Sequence, residues 1–95
     1  MINIVAFIHP KPELYSQCLA KVTAILAPTK EEAGCIKFEL FEQQNTGKFV
    51  LIETFRDQTA LDLHYQQPYV ISVFEFYESA LLHVPEIHKL TAVEG

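Results

Sequence analysis

The chain has 95 residues, room for one domain, and 49% are hydrophobic against 20% charged, which is a globular and not a disordered composition. Seven Lys and Arg against twelve Asp and Glu give a net charge of −5, and the basic residues stand singly, so no nucleic-acid partner is expected. No apolar run approaches the ~20 residues that cross a bilayer, and Met1 leads into Ile2-Asn3-Ile4-Val5 without a basic segment, so neither a membrane partner nor a signal peptide is expected.

Two cysteines, Cys18 and Cys35, form no C-x-x-C pair. They read as buried small hydrophobes in a reducing, cytoplasmic setting. A chain this short buries only about 60–65% of its unfolded surface, so an oligomer interface would help it.

Turn signals cut the chain into even pieces, with no repeat or linker. Met1 to His9 is rich in Ile, Val and Phe and reads as a strand, ended by Pro10 and Pro12. Over 13–27 the period changes: Leu14, Cys18, Val22, Ile25 and Leu26 share one stripe, which predicts a helix limited by Pro28. Ala33-Gly34 is a turn, Cys35 to Phe41 a strand, and residues 42–48, with Asn45 and Gly47, a hairpin connection. Phe49 to Phe55 is the next strand. Asp57 is a candidate N-cap for a short helix over 58–66. Pro68 breaks that helix and starts another, with Val70, Val73, Phe74, Tyr77 and Leu81 on one face. Pro85 ends it, and Ile87 to Val93 is a last strand. The order β-α-β-β-α-β, with the second helix broken in two, predicts a ferredoxin-like α+β fold with an antiparallel sheet and helices on one face.

The sheet's other face carries information too. A face that met water would alternate apolar and polar residues. Strand one instead sets Ile2, Ile4, Ala6 and Ile8 against Asn3, Val5 and Phe7, and strand three is apolar on both sides. Helices cover one side only, so a homodimer packed sheet against sheet is expected.

Glu53 is an acid inside Phe49-Val50-Leu51-Ile52-Glu53-Thr54-Phe55. A buried carboxylate needs a partner or it neutralises. Because both faces are apolar, the pattern leaves open whether Glu53 faces the helices or the dimer interface. His64 shares the inward face of Ala60 and Leu61. If Glu53 faces the helices, the two form a candidate dyad in which the carboxylate orients the imidazole as a base. Phe38, Phe55, Tyr65, Tyr69, Phe74 and Tyr77 are candidate walls of a substrate pocket. His9, His83 and His88 lack metal-ligand spacing, and no phosphate-binding glycine loop or G-x-S-x-G elbow is present.

The stretch Glu31-Glu32-Ala33-Gly34-Cys35-Ile36-Lys37-Phe38-Glu39-Leu40 resembles the E-x-G-C-x-x-Y-E-L segment of antibiotic-biosynthesis-monooxygenase (ABM) domains. The stretch Phe49 to Phe55, with Ala60-Leu61, His64 and Pro68, resembles their F-x-L-x-E-x-W, x-A-L-x-x-H and x-x-P-H-F segments, and the likeness spans nearly the whole chain, 1–95, as one domain. It implies a dimeric α/β-barrel with a ligand cavity between sheet and helices in each subunit. It also makes Glu53 and His64 the matches to the family's recurrent acid and histidine. Three positions depart from the pattern: Phe38 replaces a Tyr, Phe55 a Trp and Tyr69 a second His. The haem-degrading branch uses a Trp to ruffle haem, and this chain has none.

The leading functional expectation is a quinol-monooxygenase-like enzyme of a small aromatic substrate, with no cofactor and molecular oxygen as cosubstrate. His64 would be the base and Glu53 would orient it. An isomerase of a small phosphorylated carbonyl compound is the alternative, with Lys37, Arg56 and Lys89 as candidate phosphate cations. A non-catalytic dimeric barrel that binds a small apolar ligand is the third.

Overall fold

The computed structural model describes residues 1–94. Strand β1 (Ile2–Ile8) stops ahead of Pro10, and a 3-10 turn over Pro12–Leu14 leads into α1 (Tyr15–Ala24) and α2 (Leu26–Lys30). The hairpin β2 (Cys35–Gln43) and β3 (Lys48–Phe55) follows, then α3 (Gln58–Tyr65), α4 (Pro68–Ala80) and β4 (Glu86–Leu90). The sheet order is β2-β3-β1-β4 with every neighbouring pair antiparallel. This is the ferredoxin-like α+β fold, with β3 inserted between the ends of the first βαβ crossover.

Local chemistry explains most boundaries. Asn45 (φ 64°) and Gly47 (φ 71°) supply the left-handed positions of the hairpin loop. Asp57 caps α3, its carboxylate accepting from the Ala60 amide at 2.9 Å. Pro68 opens α4 at its first position, where a missing N–H costs no helical bond.

Several boundaries differ from expectation. Helix α4 ends at Ala80 and not at Pro85, because Leu81 is already extended (φ −100°, ψ 148°), and β2 runs past Phe41 to Gln43, paired with Lys48. The helix over 13–27 is instead the 3-10 turn and two helices, parted at Ile25. Pro28 sits inside the first turn of α2 and does not limit a helix, because amides there have no helical partner to lose. Strand β4 ends at Leu90, not Val93, since its last partner on β1 is Asn3, near that strand's own start.

Register decides the faces. Ile4, Ala6 and Ile8 lie opposite Glu53, Leu51 and Phe49 and are buried under the helices, together with Phe55 and Phe38. Cys18 and Val22 of α1 and Val73 and Tyr77 of α4 close over them. Cys18 is buried, Cys35 half-buried, and both thiols are free. On the other face Val5, Phe7, Phe41, Val50, Ile52 and Leu90 form an apolar field that no element among the described residues covers. Asn3 and Thr54 make a polar pair at one end of it, the Thr54 hydroxyl donating to Asn3 Oδ1 at 2.9 Å. Among the described residues no helix is long and apolar enough to cross a membrane.

One close approach positions the site. A Cβ on Gly34 would lie 2.2 Å from Ala60 Cβ, so the α2–β2 turn presses directly on α3. The Gly34 carbonyl also accepts from the Arg56 amide at 2.8 Å. Residue 64 lies one helical turn beyond Ala60, on the same face. Glycine at position 34 thereby lets the turn carry Glu32 up to His64. We expect Gly34→Ala to destabilise the fold by about 1–3 kcal/mol through overpacking, with partial recovery on adding Ala60→Gly, read from urea midpoints.

Candidate active site

A small cavity of about 30 Å3 lies between the sheet and α3–α4, room for about one water molecule. Phe38, Leu51 and Glu53 line its floor, and His64, Tyr65, Phe74 and Tyr77 its roof and walls. Glu53 and His64 therefore share one cavity, and the side of the sheet that Glu53 takes is the helix side. Tyr65, Phe74 and Ile87 also border an outer groove of about 540 Å3. These three side chains line both the cavity and the groove.

Glu53 is 5% exposed, and its Oε1 has no hydrogen-bond partner. Its neighbours on the cavity wall are mostly apolar. Burial pushes its carboxyl group up from 4.5 to about 7, because a buried carboxylate loses its hydration. The same burial pushes the Tyr65 phenol up to about 12, with Glu53 nearby adding to the effect. Burial also raises Tyr77.

His64 is tied differently from the expected dyad. Its Nδ1 lies 3.0 Å from Glu32 Oε2 and 3.2 Å from Glu32 Oε1. No hydrogen bond joins it to Glu53 among the described residues, so Glu53 does not orient the imidazole. The strand places the Glu53 carboxyl in the cavity, while the imidazole turns its Nδ1 toward the α2–β2 turn. Rings enclose His64, with centroids 4.8 Å away at Phe55, 5.4 Å at Phe38 and 5.4 Å at Tyr65.

Two expected pocket residues sit elsewhere. Phe55 is fully buried beside His64 and does not line the cavity. Tyr69 is outside it as well: its hydroxyl donates to Glu32 Oε2 and lies 3.3 Å from the Pro28 carbonyl. Burial raises the Tyr69 phenol, and the bond to Glu32 raises it further. Sequence reasoning passed over Glu32, although the stretch Glu32-Ala33-Gly34-Cys35 was in view. Its only local signal is an acid two residues before a glycine, at a turn. Among the described residues no three His, Cys, Asp or Glu side chains gather as a metal site.

The molecule is thus a ferredoxin-like domain with a small, mostly apolar cavity that holds one acid and one imidazole. The profile of the antibiotic biosynthesis monooxygenase family matches residues 1–80, and the chain belongs to that family. Rv0793 of Mycobacterium tuberculosis is 32% identical over 71 residues, 75% of this chain and 70% of that protein. YcnE of Bacillus subtilis is 31% identical over 67 residues, 67% of this chain and 68% of that one. Both carry the name "putative monooxygenase". The solved structure of Rv0793 superposes with a TM-score of 0.93 at 26% identity, covering 99% of this chain and 96% of that one. PA3566 of Pseudomonas aeruginosa gives 0.91 at 24% identity, covering 98% and 94%, and shares the fold.

The raised Glu53 has a stability consequence. Its folded form holds a proton over a range where the unfolded chain has lost it, so stability is fully present below about pH 4.5 and falls as pH rises through about 7. A displacement of that size is worth about 3 kcal/mol. Urea unfolding at pH 5 and pH 8 should show a loss of that order in the wild type, and Glu53→Gln should remove most of it.

Proposed function

We propose that this chain is a cofactor-independent monooxygenase of a small aromatic or quinol substrate, acting as a homodimer. The observation that carries the reading is an unpaired, buried carboxyl beside an imidazole in an otherwise apolar cavity, on a chain of this family. Once opened toward the outer groove, such a cavity would offer a flat, mostly apolar ring two proton-handling groups.

The chemistry balances without another redox partner. His64 takes a phenolic proton, and the electron-rich phenolate gives an electron to O2. Recombination at ring carbon makes a C–O bond to peroxide. Glu53, which keeps its proton up to about pH 7, supplies it to the peroxide. Loss of the C–H proton with O–O cleavage leaves a carbonyl. One oxygen atom ends in the hydroxyquinone and the other in water. The apolar walls keep bulk water from the intermediate. A ring is larger than this cavity, so binding requires Tyr65 and Phe74 to swing toward the outer groove. Phe74 is already 36% exposed there.

An isomerase of a phosphorylated compound would need cations at this mouth, where Glu75 and Glu78 stand instead. Lys37 pairs with Glu39, Arg56 with Asp57, and Lys89 donates to Gln58. A barrel without chemistry gives no reason to keep an unpaired acid in the cavity.

Oxygen uptake by metal-free protein on reduced naphthoquinones and phenols tests the activity. His64→Ala, folded as judged by its spectrum, should lower kcat/KM by on the order of 10²–10⁴-fold. No uptake above autoxidation across the panel counts against the reading. The homodimer rests on the uncovered apolar sheet face, where Ile52 is 39% and Leu90 51% exposed. Sedimentation should give twice the chain mass, and Ile52→Lys should shift it to monomer; a monomeric wild type refutes the dimer.

A further inference from the structure

We propose that Glu32 is the positioning residue of this site. It accepts a hydrogen bond from His64 Nδ1, so that the ring proton sits on Nδ1 and Nε2 is the nitrogen offered to the cavity, and Tyr69 holds Glu32 in turn.

The contacts define the roles. A carboxylate only accepts hydrogen bonds, so the nitrogen facing it must be the donor. His64 Nδ1 lies 3.0 Å and 3.2 Å from the two Glu32 oxygens. The Tyr69 hydroxyl, from α4, donates to the same carboxylate. Three elements converge on this point: the α2–β2 turn, α3 and α4. His64 is 3% and the Glu32 side chain 14% exposed, so solvent competes little for these bonds. The rings of Phe38, Phe55 and Tyr65 enclose the imidazole and oppose its rotation away from Glu32. With Nδ1 engaged, Nε2 is the one remaining ring nitrogen on a residue that lines the cavity. In water the neutral imidazole of histidine prefers its proton on Nε2. The site therefore inverts the ordinary preference, and the carboxylate is what inverts it.

The catalytic consequence rests on the oxygenase reading, but the tautomer does not. Glu32 Oε2 accepts from Tyr69 and is also the oxygen nearer His64 Nδ1, so a glutamine there would still accept from Nδ1–H. Glu32→Leu removes both acceptors. Nothing then holds the proton on Nδ1, and it returns to Nε2.

Long-range 1H–15N correlation spectra on the ligand-free protein, recorded above the titration of histidine, read this directly. The His64 signals are assigned by their loss in His64→Ala. Wild type should show a protonated Nδ1 and an unprotonated Nε2. Glu32→Leu should exchange the two patterns, and Tyr69→Phe should keep the wild-type one. A wild-type Nε2–H tautomer overturns the proposal, as does an unchanged tautomer in folded Glu32→Leu. Should Glu32→Leu fail to fold, the wild-type and Tyr69→Phe spectra decide. With an oxidisable quinol in hand, Glu32→Leu should lower kcat by on the order of 10²-fold and leave KM nearly unchanged. An inverted tautomer without any oxygen uptake refutes the oxygenase reading alone.

Discussion

The register between the two central strands is the constraint on which the site depends. Ile4 lies opposite Glu53, Ala6 opposite Leu51 and Ile8 opposite Phe49. Side chains alternate strictly along a strand, so slipping β3 by one residue would turn Glu53 out and bring Ile52 and Thr54 under the helices. The cavity would lose its acid and the outer face its apolar continuity. One backbone pairing thus fixes both what the cavity contains and what surface is left for a second copy.

That arrangement conflicts with stability in two places. Glu53 takes a position that an apolar side chain would fill at lower cost, and its Oε1 has no partner. The uncovered face holds Val5, Phe7, Phe41, Val50 and Ile52 where a lone sheet would carry polar residues. The first conflict is the kind that functional sites maintain, because a carboxyl group that titrates near neutrality has to be kept out of water. The second would be relieved by burial against a matching surface, as in the proposed homodimer. Both follow from one chain of 95 residues whose helices can cover a single side of its sheet.

The fold was largely legible because proline, glycine and asparagine punctuate it. Pro10, the Asn45–Gly47 loop, Asp57 and Pro68 each mark a real boundary. The helix over 13–27 was misread at Pro28, since a proline that ends one helix and a proline in the first turn of the next look alike in sequence. The phase of Glu53 was not legible at all: with apolar residues on both sides, alternation carries no direction. His64 was legible from its spacing to Ala60 and Leu61. Its partner was not, because Glu32 is 32 residues away and on an irregular turn. The expected dyad joined the two groups that share a layer. The real contact comes across the layer's edge, where Gly34 lets the turn close on Ala60.

The correction separates two roles that the dyad had merged. A carboxylate that orients a histidine is held in a hydrogen bond and is poorly placed to exchange a proton with substrate. A carboxyl group with an unpartnered oxygen in the cavity is free to do so. Here Glu32 has the first character and Glu53 the second, and they approach His64 from different elements. The positions that depart from the family pattern fit this division. Phe38 gives the floor of the cavity no phenol, so its proton-handling groups reduce to His64, Glu53 and the hydroxyls of Tyr65 and Tyr77. Burial pushes the Tyr65 hydroxyl to about 12 and raises Tyr77 as well, so both keep their protons at neutral pH and offer hydrogen bonds without giving up a proton. Tyr69 supplies a donor to Glu32 from outside the cavity. Under the proposed function, proton exchange with a bound ring thus narrows to His64 and Glu53, and of the two only Glu53 has no hydrogen-bond partner among the described residues.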